Sequence, residues 1–264
     1  MTMLTPEQVE RFVEDGFLRL EGAFSRSVAD ECRASLWAET GVDPADTSTW
    51  TRPVIRLPVS DAAVFVQAAN TPRLIGAFDQ LVGPGRWHAR PNVGTFPIRF
   101  PSEADPGDAG WHIDGSYKID PGPYRFGDRL YVNLWSRARA LLLLFLFSDV
   151  GADDVPTRIR VASHLDVPPV LREAGEAGMP HEDVVPRLPA SAHCRPIAYA
   201  TGDAGDVYLC HPFLVHAATW PHRGKSPRFI AQPPLSPVGS LVLDGADGAY
   251  SPVERAIRRG LGLG

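Results

Sequence analysis

The chain has 264 residues, of which 44% are apolar and 22% are charged, so it is long enough to bury a core without disulfide support. Its net charge is −5 and no Lys/Arg block stands out, which argues against a nucleic-acid partner. The three cysteines are widely spaced, which argues against a disulfide framework and predicts a reducing, cytoplasmic location. The longest apolar run, residues 140–147, is too short to cross a bilayer, so no membrane association is expected.

The first part of the chain, about residues 1–85, is predicted to be helical. Thr5 is a suitable N-cap and Gln8 completes a capping box, while Gly16 marks the end of that first helix. Residues 41–60 are rich in proline, aspartate and threonine and are predicted to form a loop. The helices expected in this part are residues 6–15, a helix that begins after Ser25 or Ser27, and residues 72–82.

From about residue 86 to 235, short apolar runs alternate with proline, glycine and aspartate, which is typical of an all-β sandwich or barrel. Residues 165–190 interrupt the series and predict a partly helical insertion, and a last helix is expected over about residues 251–260. The simplest interpretation is one domain spanning residues 1–264. The expected strands are residues 92–100, 111–113, 130–135, 140–148, 157–161, 196–200, 206–209, 213–219 and 227–233.

A metal-binding pattern occurs in Trp111-His-Ile-Asp-Gly-Ser116. Side chains at positions i and i+2 of an extended strand share one face, so His112 and Asp114 can converge on one ion. Much later in the chain, a strand-like run ends in His216. Two histidines and one carboxylate leave other coordination positions open, which is the ligand set of non-haem iron(II) oxygenases. His211 would lie on the opposite face from His216 and is interpreted as a packed histidine.

Arg228 lies on the apparent strand that follows His216. A guanidinium group binds a carboxylate through two hydrogen bonds and stays charged inside a pocket, so Arg228 is the candidate partner of an oxo acid. Arg158 and Arg160 could contact an anionic substrate. Further candidates for the pocket lining are Asn92, Thr95, Lys118, Tyr124 and Tyr131.

With these motifs the chain resembles the phytanoyl-CoA dioxygenase family of iron(II)- and 2-oxoglutarate-dependent oxygenases over most of its length. One difference from the family pattern is that Val161 and Ala162 stand where Pro-Gly is usual before Ser-His. The matching parts are the opening helix and strand from Leu4 to Phe17, the iron ligands of Trp111-His-Ile-Asp114, the strand Asp153–His164, the distal-histidine strand Gly205–His216, and the cosubstrate arginine Arg228.

The resemblance implies a mainly β fold with flanking helices, in which a double-stranded β-helix (a jelly-roll, cupin-like core) has helices at its N-terminal and C-terminal ends. It also implies that His112, Asp114 and His216 bind iron(II) as the catalytic triad, and that Arg228 holds 2-oxoglutarate.

The sequence leaves open which residue makes the second contact with 2-oxoglutarate, beside Arg228. Many relatives have a hydroxyl group two residues after the distal histidine, where this chain has Ala218. Thr157 or Thr219 is therefore expected to supply the second contact with 2-oxoglutarate.

The activity implied by the resemblance is that of a dioxygenase, an oxidoreductase that hydroxylates an unactivated C–H bond of a small molecule. It would consume dioxygen and 2-oxoglutarate and release succinate and carbon dioxide. Asp114 keeps the carboxylate that related halogenases replace by a small residue, which favours hydroxylation, desaturation or ring formation over halogenation. The composition resembles that of high-GC bacterial proteins, which suggests secondary metabolism as a hypothesis for the substrate.

Two alternatives stay open at this point. One is a cupin-like metal enzyme that does not use 2-oxoglutarate, which would have no need of Arg228. The other is a non-catalytic metal- or ligand-binding module on the same fold, which would be free to lose its metal ligands. The number of subunits is also left open by the sequence.

Overall fold

A computed structural model describes residues 4–120, 122, 127–245 and 248–263. Its helices are α1 (Pro6–Asp15), α2 (Arg26–Thr40), α3 (Ala63–Ala69), α4 (Pro72–Leu81), α5 (Val167–Ala174), α6 (Ala190–His193) and α7 (Pro252–Gly260). Its strands are β1 (Phe17–Leu20), β2 (Val54–Leu57), β3 (Phe96–Arg99), β4 (Tyr131–Val132), β5 (Leu141–Leu146), β6 (Arg158–Arg160), β7 (Met179–Pro180), β8 (Ile197–Tyr199), β9 (Val207–Cys210), β10 (His216–Ala217), β11 (Ile230–Ala231) and β12 (Pro234–Leu235).

The helix ends follow their capping residues closely. The predicted capping box of α1 is confirmed, because the Thr5 hydroxyl accepts from the Gln8 amide and the Gln8 side chain accepts from the Thr5 amide. Helix α2 begins after Ser25, as expected, and α7 begins at a second capping box made by Ser251 and Glu254. These local hydrogen bonds satisfy amide groups that a helix leaves without partners at its first turn.

Several elements differ from the sequence predictions. The predicted loop 41–60 contains the strand β2, whose register with β3 was not visible in the sequence, and α3 was not predicted. Residues 111–113 do not form a strand; the pairing there is a single bridge at His112. The insertion 165–190 is partly helical, as predicted, and contains α5 and two short 3-10 turns.

The largest sheet has the order β1-β9-β5-β11, with β12 also paired to β5. A bridge between Arg99 and Arg228 attaches β3, and through it β2, to the β11 edge. The smaller sheet has the order β10-β6-β8, and a bridge at His112 extends its β10 edge. The predicted fold class is confirmed: the chain is mainly β, with a jelly-roll core and helices packed outside.

Strand β5 lies at the centre of the molecule and is buried on both faces. On one face, Leu142, Leu144 and Leu146 pack in a cluster with Ile159 of the smaller sheet. On the other face, its alternate residues pack in a second cluster that includes side chains of α1, α2, α4 and α7. The helices therefore cover one face of the large sheet, and the smaller sheet packs against its other face. In the described part of the chain, no helix is both long and apolar enough to span a bilayer.

Candidate active site

The two predicted histidine ligands, His112 and His216, lie opposite each other in an antiparallel β-bridge. The His112 amide donates to the His216 carbonyl at 3.0 Å, and the His216 amide donates to the His112 carbonyl at 2.9 Å. This pairing brings the imidazole ring centroids within 4.4 Å of each other. Main-chain hydrogen bonds therefore set the spacing of the histidines, although the two residues are far apart in the sequence.

Both imidazole rings are oriented by a backbone carbonyl. His112 Nδ1 lies 2.9 Å from the Gly110 carbonyl oxygen, and His216 Nδ1 lies 3.1 Å from the Leu214 carbonyl oxygen. Such a contact fixes the proton on Nδ1 and leaves Nε2 as the basic nitrogen, as metal-binding histidines require. The same local device occurs at both ligands.

Asp114 completes the group on the same face of the chain as His112. Its Oδ1 atom lies 3.8 Å from His112 Nε2 and 3.7 Å from His216 Nε2. The three ligand atoms all lie within 4.8 Å of one another, and no other such group of His, Cys, Asp and Glu occurs among the described residues. Two imidazole nitrogens and one carboxylate oxygen in this arrangement fit a divalent transition metal.

Charge and burial favour the metal-binding forms of these groups. Burial lowers the pKa of His216 to about 4, an effect that nearby His112 reinforces, so His216 is neutral at pH 7. Burial opposes ionisation of Asp114, but Arg139 and the histidines outweigh it and hold the pKa of Asp114 below its usual value. A neutral imidazole and an ionised carboxylate are the forms that coordinate metals.

Gly115 allows a close approach behind the metal ligands. A Cβ atom at this position would lie 2.3 Å from the Cβ of Leu130, so the small side chain is required for packing. The Gly115 carbonyl oxygen accepts a hydrogen bond from Arg139 Nη2 at 3.1 Å. The absence of a side chain at position 115 therefore lets Leu130 pack against the segment that carries His112 and Asp114.

Arg228 lies beside the histidines in a cavity of ≈ 190 Å³ that His112, His216 and Thr157 also line. Arg228 is only 2% exposed, and one of its terminal nitrogens donates to the Val155 carbonyl, whereas its Nε atom is buried without a hydrogen-bond partner. Burial, assisted by neighbouring Arg99, lowers the pKa of Arg228 to about 9, so the group remains cationic at pH 7. A buried cation with a free donor is suited to an anionic ligand.

A second buried arginine lies in the same cavity. Arg99 and Arg228 are paired by two main-chain hydrogen bonds of 3.1 and 2.8 Å, and Arg99 also has a buried Nε atom without a partner. Asp108 accepts from Arg99 Nη2 at 2.7 Å through both carboxylate oxygens and also pairs with Arg56 at the surface. Of the residues that the structure describes, three arginines and one carboxylate therefore line the cavity.

The structure separates the two threonines that the sequence offered as second cosubstrate contacts. Thr157 is buried and lines the cavity with Arg228. Thr219 does not line it; its hydroxyl donates to the Pro156 carbonyl at 2.6 Å, and the residue faces a neighbouring cleft. Ala218, at the position where relatives have a hydroxyl group, does line the cavity.

His211 lies apart from the metal-binding group. It is fully buried, its Nδ1 accepts from the Phe213 amide at 3.1 Å, and its Nε2 lies 3.2 Å from the Val253 carbonyl oxygen. His164 packs against it with a ring-centroid distance of 4.8 Å. These contacts agree with the interpretation of His211 as a packed histidine.

The other candidates from the sequence have mainly structural contacts. Arg158 and Arg160 place their guanidinium carbons 4.9 and 4.5 Å from the centre of the Trp111 ring, which supports the segment before His112. Lys118 pairs with Asp128 at 2.7 Å. Asn92, Thr95, Lys118 and Tyr131 are not among the residues that line the cavity, and Tyr124 lies outside the described residues.

Sequence reasoning missed four residues of the site: Arg56, Arg99, Asp108 and Arg139. No local pattern pointed to them, because each is placed by a long-range contact. The cross-strand bridge places Arg99 beside Arg228, and Arg139 reaches Asp114 from the turn before β5.

The sequence matches no protein-family model and no curated protein. Solved structures, in contrast, match along nearly the whole chain. The non-haem α-ketoglutarate-dependent carbocyclase SnoK from nogalamycin biosynthesis is 19% identical, with a TM-score of 0.61, covering 93% of this chain and 89% of that chain. HygX from Streptomyces hygroscopicus with iron bound is 20% identical, with a TM-score of 0.55, covering 95% of this chain and 96% of that chain.

The chain shares the fold of these enzymes. A further similar structure is EctD from S. alaskensis, which is 19% identical, with a TM-score of 0.53, covering 87% of this chain and 75% of that chain. HygX has also been solved with nickel and 2-oxoglutarate bound. The comparisons therefore show a fold shared with non-haem α-ketoglutarate-dependent enzymes such as SnoK, whereas membership of the phytanoyl-CoA dioxygenase family stays a prediction.

Proposed function

We propose that this protein is an iron(II)- and 2-oxoglutarate-dependent oxygenase that oxidises an unactivated C–H bond of a small molecule. The observation that carries the proposal is the shared cavity: the Nε2 atoms of His112 and His216 lie near Asp114 Oδ1, and the same histidines line a pocket with buried Arg228. A metal with open coordination positions can bind the oxo acid end of an oxo dicarboxylate, and a buried cation beside it can bind the distal carboxylate.

The chain's own residues divide the binding of 2-oxoglutarate between them. Arg228 is proposed to bind the distal carboxylate, and the unpartnered Nε atom of Arg99 adds a second positive group in the same cavity. Thr157 is proposed to donate its hydroxyl to that carboxylate, a role for which Thr219 is less well placed. Bound iron(II) would supply the oxidative chemistry with dioxygen, while the protein orients both substrates and shields the reaction from water.

The substrate is proposed to be a small natural-product intermediate. This proposal is supported by the fold neighbours, since SnoK belongs to nogalamycin biosynthesis and HygX has been solved with hygromycin B bound. Asp114 retains the carboxylate ligand, which favours hydroxylation first and ring formation or desaturation next. The α-ketoglutarate-dependent epimerase SnoN, 15% identical with a TM-score of 0.52, is another neighbour, so one fold hosts both a carbocyclase and an epimerase.

The test is anaerobic titration of the metal-free protein with iron(II) and 2-oxoglutarate, followed by the weak visible charge-transfer band of the chelate. We expect a band in the wild type, no band in His216→Ala, and a 2-oxoglutarate dissociation constant raised by roughly 10- to 100-fold in Arg228→Met. His193→Ala and Arg223→Met, which change exposed residues of the same types, should behave as the wild type.

Iron binding without a band would exclude the use of 2-oxoglutarate and would favour a cupin-like metal enzyme. Failure to bind iron at all, with a folded wild-type protein, would contradict the metal centre itself. A band that persists unchanged in Arg228→Met would leave the metal centre in place but reject Arg228 as the cosubstrate anchor.

A further inference from the structure

Arg139 is a buried arginine directed at the metal-binding carboxylate. Its side chain is 9% exposed, and its Nη1 lies 3.1 Å from Asp114 Oδ2. Its Nη2 donates to the Gly115 carbonyl at 3.1 Å. The two carboxylate oxygens of Asp114 therefore have different neighbours, because Oδ1 faces the histidines and Oδ2 faces the guanidinium group.

The turn that delivers Arg139 has an unusual backbone. Ser136 and Ala138 have φ values of 43° and 72°, a left-handed conformation that costs free energy for residues other than glycine. Hydrogen bonds hold the turn, since the Ser136 hydroxyl donates to the Arg139 carbonyl at 2.5 Å and Asn133 Oδ1 accepts from the Arg137 amide at 3.1 Å. Strain that persists in a well-bonded turn beside a site points to a functional constraint.

We propose that Arg139 is a positioning residue for the metal ligand Asp114. By its ion pair with Oδ2, Arg139 leaves Oδ1 to the ion, so that the second oxygen does not occupy a coordination position that 2-oxoglutarate or dioxygen requires. The inference rests on the proposed metal centre. Groups of this kind, which contact a ligand rather than the metal, tune metal sites by orienting the ligand.

The competing explanation is a purely structural ion pair, in which Asp114 merely neutralises a buried arginine. Both explanations predict that loss of Arg139 lowers thermal stability, because removal of one partner from a buried pair leaves the other uncompensated. Only the positioning role predicts a change in how the metal is bound. A spectroscopic signature of the metal therefore separates the two.

The experiment titrates the metal-free protein with cobalt(II) alone and records the visible ligand-field spectrum and the dissociation constant. In Arg139→Met, we expect the cobalt(II) affinity to fall on the order of 10- to 100-fold and the spectrum to change shape. Arg139→Lys keeps the charge but lacks the planar fork whose two terminal nitrogens contact Asp114 and Gly115, so an intermediate affinity is expected. This variant also serves if Arg139→Met does not fold.

Arg195→Met is the matched control, because Arg195 pairs with Asp166 through two nitrogens outside the metal cavity. It should lower the melting temperature without changing the cobalt(II) spectrum or affinity. Folded Arg139→Met and Arg139→Lys proteins with wild-type spectra and affinities would overturn the positioning role. No cobalt(II) binding by the wild type would instead overturn the proposed metal centre, and the role of Arg139 would fall with it.

Discussion

At the scale of single residues, two threonines test the proposed cosubstrate site, because only one of them lines the cavity. Thr157 lines the cavity with Arg228, whereas the Thr219 hydroxyl is already used by the Pro156 carbonyl. We expect Thr157→Val to weaken 2-oxoglutarate binding by roughly 3- to 10-fold, because the substitution removes about one hydrogen bond to the ligand. Thr219→Val should leave the affinity unchanged. The measurement is the 2-oxoglutarate titration of the iron(II)-loaded protein without oxygen; equal effects of the two substitutions would contradict this assignment.

Ala162 differs from the family pattern in residue type but keeps the backbone conformation that glycine favours. The residue stands where the resembling family has glycine, and it adopts φ 61° and ψ 11°, the left-handed conformation that glycine favours. Its amide donates to the Asp15 carbonyl at 2.8 Å, which connects the turn to the end of α1. The turn is therefore kept at a cost in backbone strain.

Relief of that strain should stabilise the protein. We expect Ala162→Gly to raise the free energy of unfolding by about 0.5–1 kcal/mol, the left-handed penalty of alanine less the extra entropy of glycine in the unfolded chain. Ala34→Gly, at an exposed position within α2, should lower it by about 1 kcal/mol. Urea unfolding of both variants checks the prediction, and a destabilised Ala162→Gly protein would refute it.

The site residues that the sequence revealed are those with local patterns. His112 and Asp114 share a face because they are two positions apart, and His216 stands at the end of an apolar run. Arg99, Asp108 and Arg139 have no such pattern, because only long-range pairing and an irregular turn bring them to the site. Sequence periodicity contains no information about contacts of that kind.

At the scale of elements, two buried histidines connect the terminal helices to the core. His164 Nε2 lies 3.1 Å from the Val13 carbonyl oxygen of α1, and His211 Nε2 contacts the Val253 carbonyl of α7. Burial lowers the pKa of His164 to about 3, with nearby Arg195 and Arg259 adding to the effect. Burial, together with adjacent His164, also holds the pKa of His211 well below its usual range.

These histidines should make the fold sensitive to acid. In the unfolded chain a histidine takes up a proton near pH 6.5, whereas folded His164 stays neutral down to about pH 3, so stability falls as the pH drops through that window. We expect His164→Gln to lose less unfolding free energy than the wild type between pH 7.5 and pH 5. His193→Gln, an exposed position, should retain the wild-type pH dependence. Urea titrations at each pH provide the comparison, and parallel slopes for all three proteins would reject the prediction.

Elements with strong local signals were predictable, whereas strand β2 and the exact bounds of the short strands were not. The capping residues and apolar faces of α1, α2, α4 and α7 identified those helices. Strand β2 follows a proline-rich loop and owes its conformation to pairing with β3. The two-residue strands β10 and β11 lie within the predicted strands 213–219 and 227–233, but they are shorter than predicted because their bounds depend on hydrogen bonds to neighbouring strands.

At the scale of the whole molecule, the fold class followed from the succession of short apolar runs together with the family resemblance. The sequence could not show that β5 would be buried between the helices and the smaller sheet, although its six apolar residues agree with that position. Strand order was likewise hidden, since neighbours such as β5 and β9 are distant in the sequence. The single-domain boundaries stay a prediction.

Two backbone bridges in the cavity bear on which oxo acids the proposed activity would accept. One bridge pairs His112 with His216 and the other pairs Arg99 with Arg228, so both ends of the pocket are attached to the sheets by main-chain hydrogen bonds. The span between them is then a property of strand spacing, and Arg228 is further held by the Val155 carbonyl. An oxo diacid with one methylene more or fewer would need a different distance between the histidines and Arg228. Changing that distance would require the strands to move, because side-chain rotation alone would not be enough. Under the proposed function, the spacing of the strands would therefore limit the carbon-chain length of the oxo acid.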